Sequence, residues 1–480
     1  MRILFKAFLL FIWLLRSSNN GAYANDNDLS HSYIVSVSSL IPPTVCNRTR
    51  TALPQGPGKV SLEVLGRYGP CSKLNQGKSR NTPSLEEILR RDQQRLHLKN
   101  SRRLQKAIPD NFKKTKAFTF PAKTGIVAAD EYYIVVAIGK PKQYVSLLLD
   151  TGSGITWTQC KPCIHCSQQR DPFFDPSKSK TFSKIPCNST TCKILLEWFP
   201  PNGQDKCSSK ECPYDIAYVD GSGETGFWAT DRMTIQEVNG NGYFARYPFL
   251  LGCTDNNTGD QNGASGIMGL DRGPVSIISK TNISYFFYCL HSPYGSTGYI
   301  TFGKPDTVNK KFVKYTPIVT TPEQSEFYHI TLTGISVGGE RLPLKASYFT
   351  KLSTEIDSGT IITRFPAPVY SALRSAFRKR MKKYKMGKGI EDLFDTCYDL
   401  SAYKTVVVPK ITIHFLGGVD LELDVRETLV VESVRQVCLG FALLPSDPNS
   451  ILLGNVQQRG YEVHYDVAGR RLGFGPGNCN

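Results

Sequence analysis

No stretch of this 480-residue sequence is long and apolar enough to cross a bilayer. The run at the front, Ala7–Leu15, has nine residues, against the roughly twenty a spanning helix needs. Helical periodicity is also scarce, and clearest over Ala367–Met386. The seven histidines form no cluster with metal-ligand spacing, and His329, His414 and His464 sit in strand-like runs that read as packing positions. These absences argue against a membrane span, an all-helical fold and a histidine-held metal; no cofactor is expected.

What is present reads as β-structure. Tyr132–Ala137, Val145–Leu149, Tyr328–Val337 and Val406–Phe415 are rich in β-branched and aromatic residues and bounded by Gly, Pro or Asp. Before them, Arg2 and Lys6, the Ala7–Leu15 run and Ala22-Tyr23-Ala24 have the order of a cleaved secretory peptide over 1–24. Fourteen cysteines, two of them (Cys46 and Cys71) before residue 150, suit disulfides in an oxidising compartment. The sequons at Asn47, Asn188, Asn256 and Asn282 permit glycans there.

The formal charge of +17 is unevenly spread. Residues 1–120 hold 20 Lys and Arg against 7 Asp and Glu, leaving 38 against 34 for the rest. The basicity thus belongs to the front, and the body is close to neutral. Residues 25–120 are polar, with one predicted helix, Ser84–Leu104, opened by a capping pattern of Ser84 and Glu87. With strands expected from about Phe120, 25–120 is a candidate prosegment; composition alone reads as a solvated, partly disordered extension.

The body repeats itself. Leu147-Leu148-Leu149-Asp150-Thr151-Gly152-Ser153 is followed by Gly266-Ile267-Met268-Gly269, and Glu355-Ile356-Asp357-Ser358-Gly359-Thr360 by Ile451-Leu452-Leu453-Gly454. One Asp-Thr-Gly is common in loops; two copies with the same second element point to duplication. An Asp in a Gly-containing turn at a strand end is presented at a tip, and Ser153 and Thr360 can donate to the outer carboxylate oxygens. If the two turns meet across a two-fold axis, the carboxylates share one proton, because both cannot ionise cheaply at contact distance. That state suits hydrolysis by an activated water, with a pH optimum below neutral.

On these motifs residues 125–480 resemble the pepsin family of aspartic proteases, most closely its plant branch with nepenthesin, nucellin and the chloroplast-nucleoid DNA-binding protease. Trp157 matches the tryptophan behind the flap, and Tyr218 and Gly221 in Ala217-Tyr218-Val219-Asp220-Gly221-Ser222 match the flap. Cys160–Cys212 matches an insertion of that branch. Further matches are Gly252-Cys253, Tyr288-Cys289-Leu290, Asp395–Leu400 and Gly454–Gln458; in the front segment they are Arg67–Cys71 and Ile88–Asp92. The resemblance implies a mainly β, bilobal pepsin-like acid protease fold with a disulfide-rich insertion in the N-terminal lobe. The lobes are expected at about 125–320 and 321–480. It also implies Asp150 and Asp357 as the catalytic pair, supported by Thr151, Gly152, Ser153, Ser358, Gly359 and Thr360, and a Cys397–Cys438 disulfide. Val219 departs from the family's usual glycine and is expected to alter rate or specificity.

The expectation is a secreted zymogen of an endopeptidase, a monomer acting on protein or peptide substrates, with its own prosegment as inhibitor. It would be extracellular or apoplastic, with vacuole and plastid open. Two rivals are a catalytically silent inhibitor or binding protein on the same scaffold, and a DNA-binding regulator acting through the basic segment. Three local motifs are set aside. Gly221–Gly226 fits a dinucleotide fingerprint, but Phe227–Thr230, directly after it, reads as strand where that fingerprint needs a helix. Cys160-x-x-Cys163-x-x-Cys166 has metal-site spacing but reads as disulfides, and no metal is expected. Arg378–Lys383 reads as a solvated helix face with cations at its C-terminus rather than a nucleic-acid contact.

Overall fold

The computed structural model describes residues 30–46, 53–54, 56, 59–75, 83–93, 131–199, 207, 210–217, 223–236, 243–257, 263–281, 283–293, 297–305, 312–320, 326–390, 393–444, 447–477 and 479. The expected signal segment 1–24 and the basic pairs Arg102-Arg103 and Lys113-Lys114 lie outside these residues.

Strands begin earlier than the expected Phe120. The front segment contributes β1 (Ser32–Ser36) and β2 (Val60–Gly66). Short β-branched runs, Tyr33-Ile34-Val35 and Val60–Leu65, form them inside a polar stretch whose composition hides the signal. Leu62 and Val64 of β2 are buried in the main hydrophobic core. A helix, α1, covers residues 85–93 of the expected Ser84–Leu104; the remainder lies outside the described residues. Ser84 caps it, its Oγ accepting the Glu87 N–H at 3.2 Å. Leu85, Ile88 and Leu89, at i, i+3 and i+4, are buried in the same core. At roughly 1.5–3 kcal/mol per fully buried aliphatic side chain, these pieces are packed against the body and are not a solvated tail.

The body continues with β3 (Tyr132–Ile138), β4 (Gln143–Asp150), β5 (Trp157–Gln159), β6 (Pro213–Ala217), β7 (Gly223–Gln236), β8 (Tyr243–Asn257) and β9 (Gly266–Gly269). Next come β10 (Tyr285–Cys289), β11 (Gly298–Phe302), β12 (Ser353–Ile356), β13 (Thr363–Phe365), β14 (Thr405–Pro409), β15 (Phe441–Leu443), β16 (Ser450–Leu453) and β17 (Tyr461–Asp466). The duplication is realised as a repeated strand order. In the first half β4 pairs parallel with β9, β9 antiparallel with β5, and β5 parallel with β8. In the second, β12 pairs parallel with β16, β16 antiparallel with β13, and β13 parallel with β15. The result is a mainly β, two-lobed architecture. β10 joins the halves by pairing with β17 from the C-terminal end of the chain.

The front segment is threaded into this frame. β2 lies between β11 and β3, antiparallel to both, and β1 pairs antiparallel with β14. All fourteen cysteines are paired. Cys160–Cys253, Cys163–Cys166, Cys187–Cys207 and Cys192–Cys212 staple the insertion of the N-terminal lobe, so the metal-like spacing is spent on disulfides. Cys289–Cys479 ties β10 to the C-terminus, Cys46–Cys71 closes the front segment, and Cys397 is bonded to Cys438.

Two local expectations change or hold for tertiary reasons. The helix expected over Ala367–Met386 spans Ala367–Arg380. It stops because Lys385 and Met386 pair instead with Asp399 and Tyr398. In its basic run, Arg378 donates to the Asp395 carbonyl at 2.6 Å, and Arg380 donates to the Gly338 carbonyl at 3.1 Å and pairs with Glu340. Gly223 opens strand β7, so the fingerprint-like glycines have no helix after them.

Candidate active site

Each aspartate stands where an apolar strand ends beside a parallel neighbour. Asp150 closes β4 opposite Gly269 of β9, and Asp357 comes directly after Ile356, which pairs with Leu453 of β16. The glycine of each apolar-apolar-Gly motif permits the close approach. A Cβ on Gly269 would lie 2.5 Å from the Gly154 carbonyl carbon, and one on Gly454 2.6 Å from the Ile361 oxygen. The second element of the repeat is thus the floor on which each turn rests.

The two turns meet. Thr151 N–H donates to Ser358 Oγ at 3.0 Å, and Ser358 N–H donates to Thr151 Oγ1 at 2.9 Å. Ser358 Oγ also donates to the Leu149 carbonyl, at 3.0 Å. This reciprocal pair, formed by the residue after each aspartate, locks residues 207 positions apart into a near-symmetric unit. Around each carboxylate the contacts repeat. Gly152 N–H donates to Asp150 Oδ1 at 2.9 Å and Gly359 N–H to Asp357 Oδ1 at 2.8 Å. Ser153 Oγ donates to Asp150 Oδ2 at 2.6 Å and Thr360 Oγ1 to Asp357 Oδ2 at 2.7 Å. Both aspartates are buried, 3% and 0% exposed. Donors on both oxygens fix the planes of the carboxylates and offset the desolvation of their charge.

Beneath the turns lies a layer whose roles the sequence does not reveal. Gln458 Nε2 donates to the Leu453 carbonyl at 2.8 Å and to the Asp357 carbonyl at 3.3 Å. Its Oε1 accepts from Tyr288 Oη, which is hydrogen-bonded to Tyr465 Oη at 2.9 Å. Asn455 Nδ2 donates to the Ser358 carbonyl at 3.1 Å. Burial pushes the Tyr288 and Tyr465 hydroxyls well above the ordinary tyrosine value, so they stay protonated. The sequence signals for this layer are the Tyr288-Cys289-Leu290 and Gly454–Gln458 matches, which carry no role by themselves.

A carboxylate from the front segment also reaches this neighbourhood. Asp92 of α1 accepts the Ile361 N–H at 2.7 Å, one residue beyond Thr360, and pairs with Arg364 at 3.2 Å. Both side chains are 1% exposed.

The remaining predicted positions are scattered. Trp157 is buried with Tyr214 and Trp228 behind the β6–β7 hairpin, which pairs up to Ala217 opposite Gly223. Tyr218, Val219 and Gly221 lie outside the described residues. Asn188 is exposed and Asn256 half-buried on β8, while Asn47 and Asn282 lie outside the described residues. His329 bonds Ser353, His414 bonds Ser336 and Asp420, and His464 bonds Tyr285 and Glu462, all within the strand framework.

Comparison with known proteins gives a consistent picture. Residues 132–304 match the family described as Xylanase inhibitor N-terminal, and residues 327–476 the family described as Xylanase inhibitor C-terminal. The chain is 39% identical to an aspartyl protease family protein of Arabidopsis thaliana, covering 98% of each chain. It is 32% identical to aspartic proteinase nepenthesin-1 of Nepenthes gracilis, covering 74% of this chain and 80% of that protein. Among solved structures it is similar to basic 7S globulin from soybean, with a TM-score of 0.56 at 20% identity, covering 72% of this chain and 91% of that one.

Proposed function

The chain belongs to the plant pepsin-like aspartic protease family, and from that premise we propose that it is an aspartic endopeptidase with Asp150 and Asp357 as its catalytic dyad. The observation that carries this reading is the completeness of both turns: each aspartate keeps its glycine amide and its hydroxyl, and the turns are locked through Thr151 and Ser358.

The chemistry is set by the donors. In this reading the locked turns present the two carboxyl groups to one bound water, one acting as base and the other as acid. The ionised member takes a proton from a bound water as its oxygen attacks the peptide carbonyl. The protonated member gives its proton to the carbonyl oxygen; on collapse the first carboxyl passes the water's proton to the leaving amine, and the intermediate's hydroxyl returns a proton to the second. Ser153 and Thr360 keep the outer oxygens occupied, so the inner ones face the water. An extended substrate would pair along the β6–β7 hairpin by backbone hydrogen bonds.

In the same reading, residues 25–120 form an inhibitory prosegment removed on activation, leaving catalytic lobes of about 125–320 and 321–480. Entry by the secretory route with glycans on exposed sequons, and action as a monomer outside the cell, complete it. The pairing of all fourteen cysteines supports an oxidising compartment. A silent binding role on this scaffold is the rival suggested by the family descriptions, and the intact motifs weigh against it. Peptide-library digestion at several pH values decides between them. Acid-optimal, pepstatin-sensitive cleavage that disappears in Asp357→Asn supports the enzyme, and undiminished cleavage by that variant refutes it.

A further inference from the structure

β2 is held by more than its ladder bonds. At its end the Gly66 N–H donates to Nε2 of His291 at 2.9 Å. The other ring nitrogen, Nδ1, lies 2.8 Å from the Ser292 carbonyl. A carbonyl can only accept and an amide N–H can only donate, so the ring must carry its single proton on Nδ1 and be neutral. A second proton would sit on Nε2, pointing at the Gly66 N–H, and would abolish that bond.

The geometry points to an acid-gated binding slot for residues 60–66, formed by β3, β11 and His291, in which protonation of His291 releases the front strand. This rests on the reading of that segment as a prosegment and adds the device by which acid loosens it.

Among the described residues only the Ser292 carbonyl, 2.8 Å from Nδ1, favours the imidazolium, and burial outweighs it. His291 is 4% exposed. Arg459 presents a cation on its far side, donating from Nε to Tyr132 Oη at 2.8 Å, and Tyr132 Oη donates to the His291 carbonyl at 2.6 Å with its ring edge-on at 5.4 Å. Arg67, next in the chain to Gly66, is engaged by Glu131, just before β3. Burial first, then Arg459, pushes the ring from 6.5 down to about 4. A released slot, open to water, returns the ring toward its ordinary value. The docked strand is therefore favoured above about pH 6.5, and loses about tenfold in its docking equilibrium per pH unit below it, roughly 150-fold by pH 4.

The test needs no enzymatic activity. In full-length precursor carrying Asp357→Asn, hydrogen exchange at residues 60–66 is followed from pH 7.5 to 4, corrected for intrinsic rates, with β1 as reference. Protection of 60–66 should fall more than tenfold below pH 6 while β1 holds. His291→Gln, whose Oε1 can accept from Gly66 but does not titrate, should keep the strand protected at least one pH unit lower. Unchanged protection down to pH 4 in the Asp357→Asn precursor with His291 intact overturns the slot's acid gating, as does an identical profile when His291→Gln is added. Since the readout is docking, failure of peptide cleavage would refute the protease reading without touching this one.

Discussion

Replacing Asp92 by asparagine isolates what the buried charge contributes. The substitution keeps the shape and the acceptor for the Ile361 N–H, 2.7 Å away, but leaves the Arg364 guanidinium unneutralised with both side chains 1% exposed. Arg364 Nε has no hydrogen-bond partner among the described residues, so little else offsets its desolvation. Removing one member of a buried pair costs about 3–5 kcal/mol, which is about two to three and a half powers of ten in the equilibrium for undocking α1. In precursor made silent by Asp357→Asn, limited proteolysis at neutral pH should cut residues 85–93 at least 100-fold faster than in the unsubstituted precursor, by the same arithmetic. Adding Arg364→Met removes the stranded cation, and should restore most of the resistance, because an apolar replacement of a buried pair is often close to neutral. A change below about threefold in the single variant would refute the idea that this pair anchors the helix. Failure of Arg364→Met to rescue would show that geometry, not charge, was lost.

Two further outcomes concern groups away from the dyad. Burial and then Asp424 push the Glu427 carboxyl up to about 8. A raised carboxyl stabilises the fold fully below about pH 4.5 and loses that contribution as pH rises through 8, so the body should gain up to roughly 4–5 kcal/mol on acidification from this group. Denaturant midpoints across that range should show the trend, and Glu427→Gln should flatten it; an unaltered slope would contradict the assignment. The Cys289–Cys479 bond spans 190 residues, for which the chain-entropy model gives about 5 kcal/mol. The double serine variant should lower the unfolding midpoint accordingly, and a midpoint within experimental error of the parent would refute that accounting.

The dyad was legible because its determinants are contiguous: Asp150–Ser153 and Asp357–Thr360 each carry their own amide and hydroxyl partners within three residues. The apolar-apolar-Gly elements were legible as a repeat, though their use as a floor needed the parallel pairing of β9 and β16. The supporting layer was not. Tyr288 meets Gln458 across 170 residues and Asp92 meets Ile361 across 269, and such partners leave no local pattern. His291 escaped notice for the same reason, while His329, His414 and His464 drew attention by their strand context. In the front segment the error was compositional. Net charge over a long window masked β1 and β2, five and seven residues long, and pairing to existing strands rather than intrinsic propensity stabilises such short elements.

Acid acts with opposite sign on the two parts of the molecule. Glu427, at the N-terminal turn of residues 425–428, prefers its neutral form, so lowering the pH strengthens the region where Gln457 joins the Glu427 carbonyl to that of Gly440, just before β15. His291 prefers to be neutral as well, but for a base neutrality is lost on acidification, so the same change weakens the slot around β2. The two windows overlap between about pH 6.5 and 4.5. A precursor entering that range would loosen its front strand while its body grows firmer, which separates release of the segment from unfolding. Burial produces both effects. It penalises whichever form is charged, and a carboxyl in the body and an imidazole at the slot place that penalty at opposite ends of the same interval.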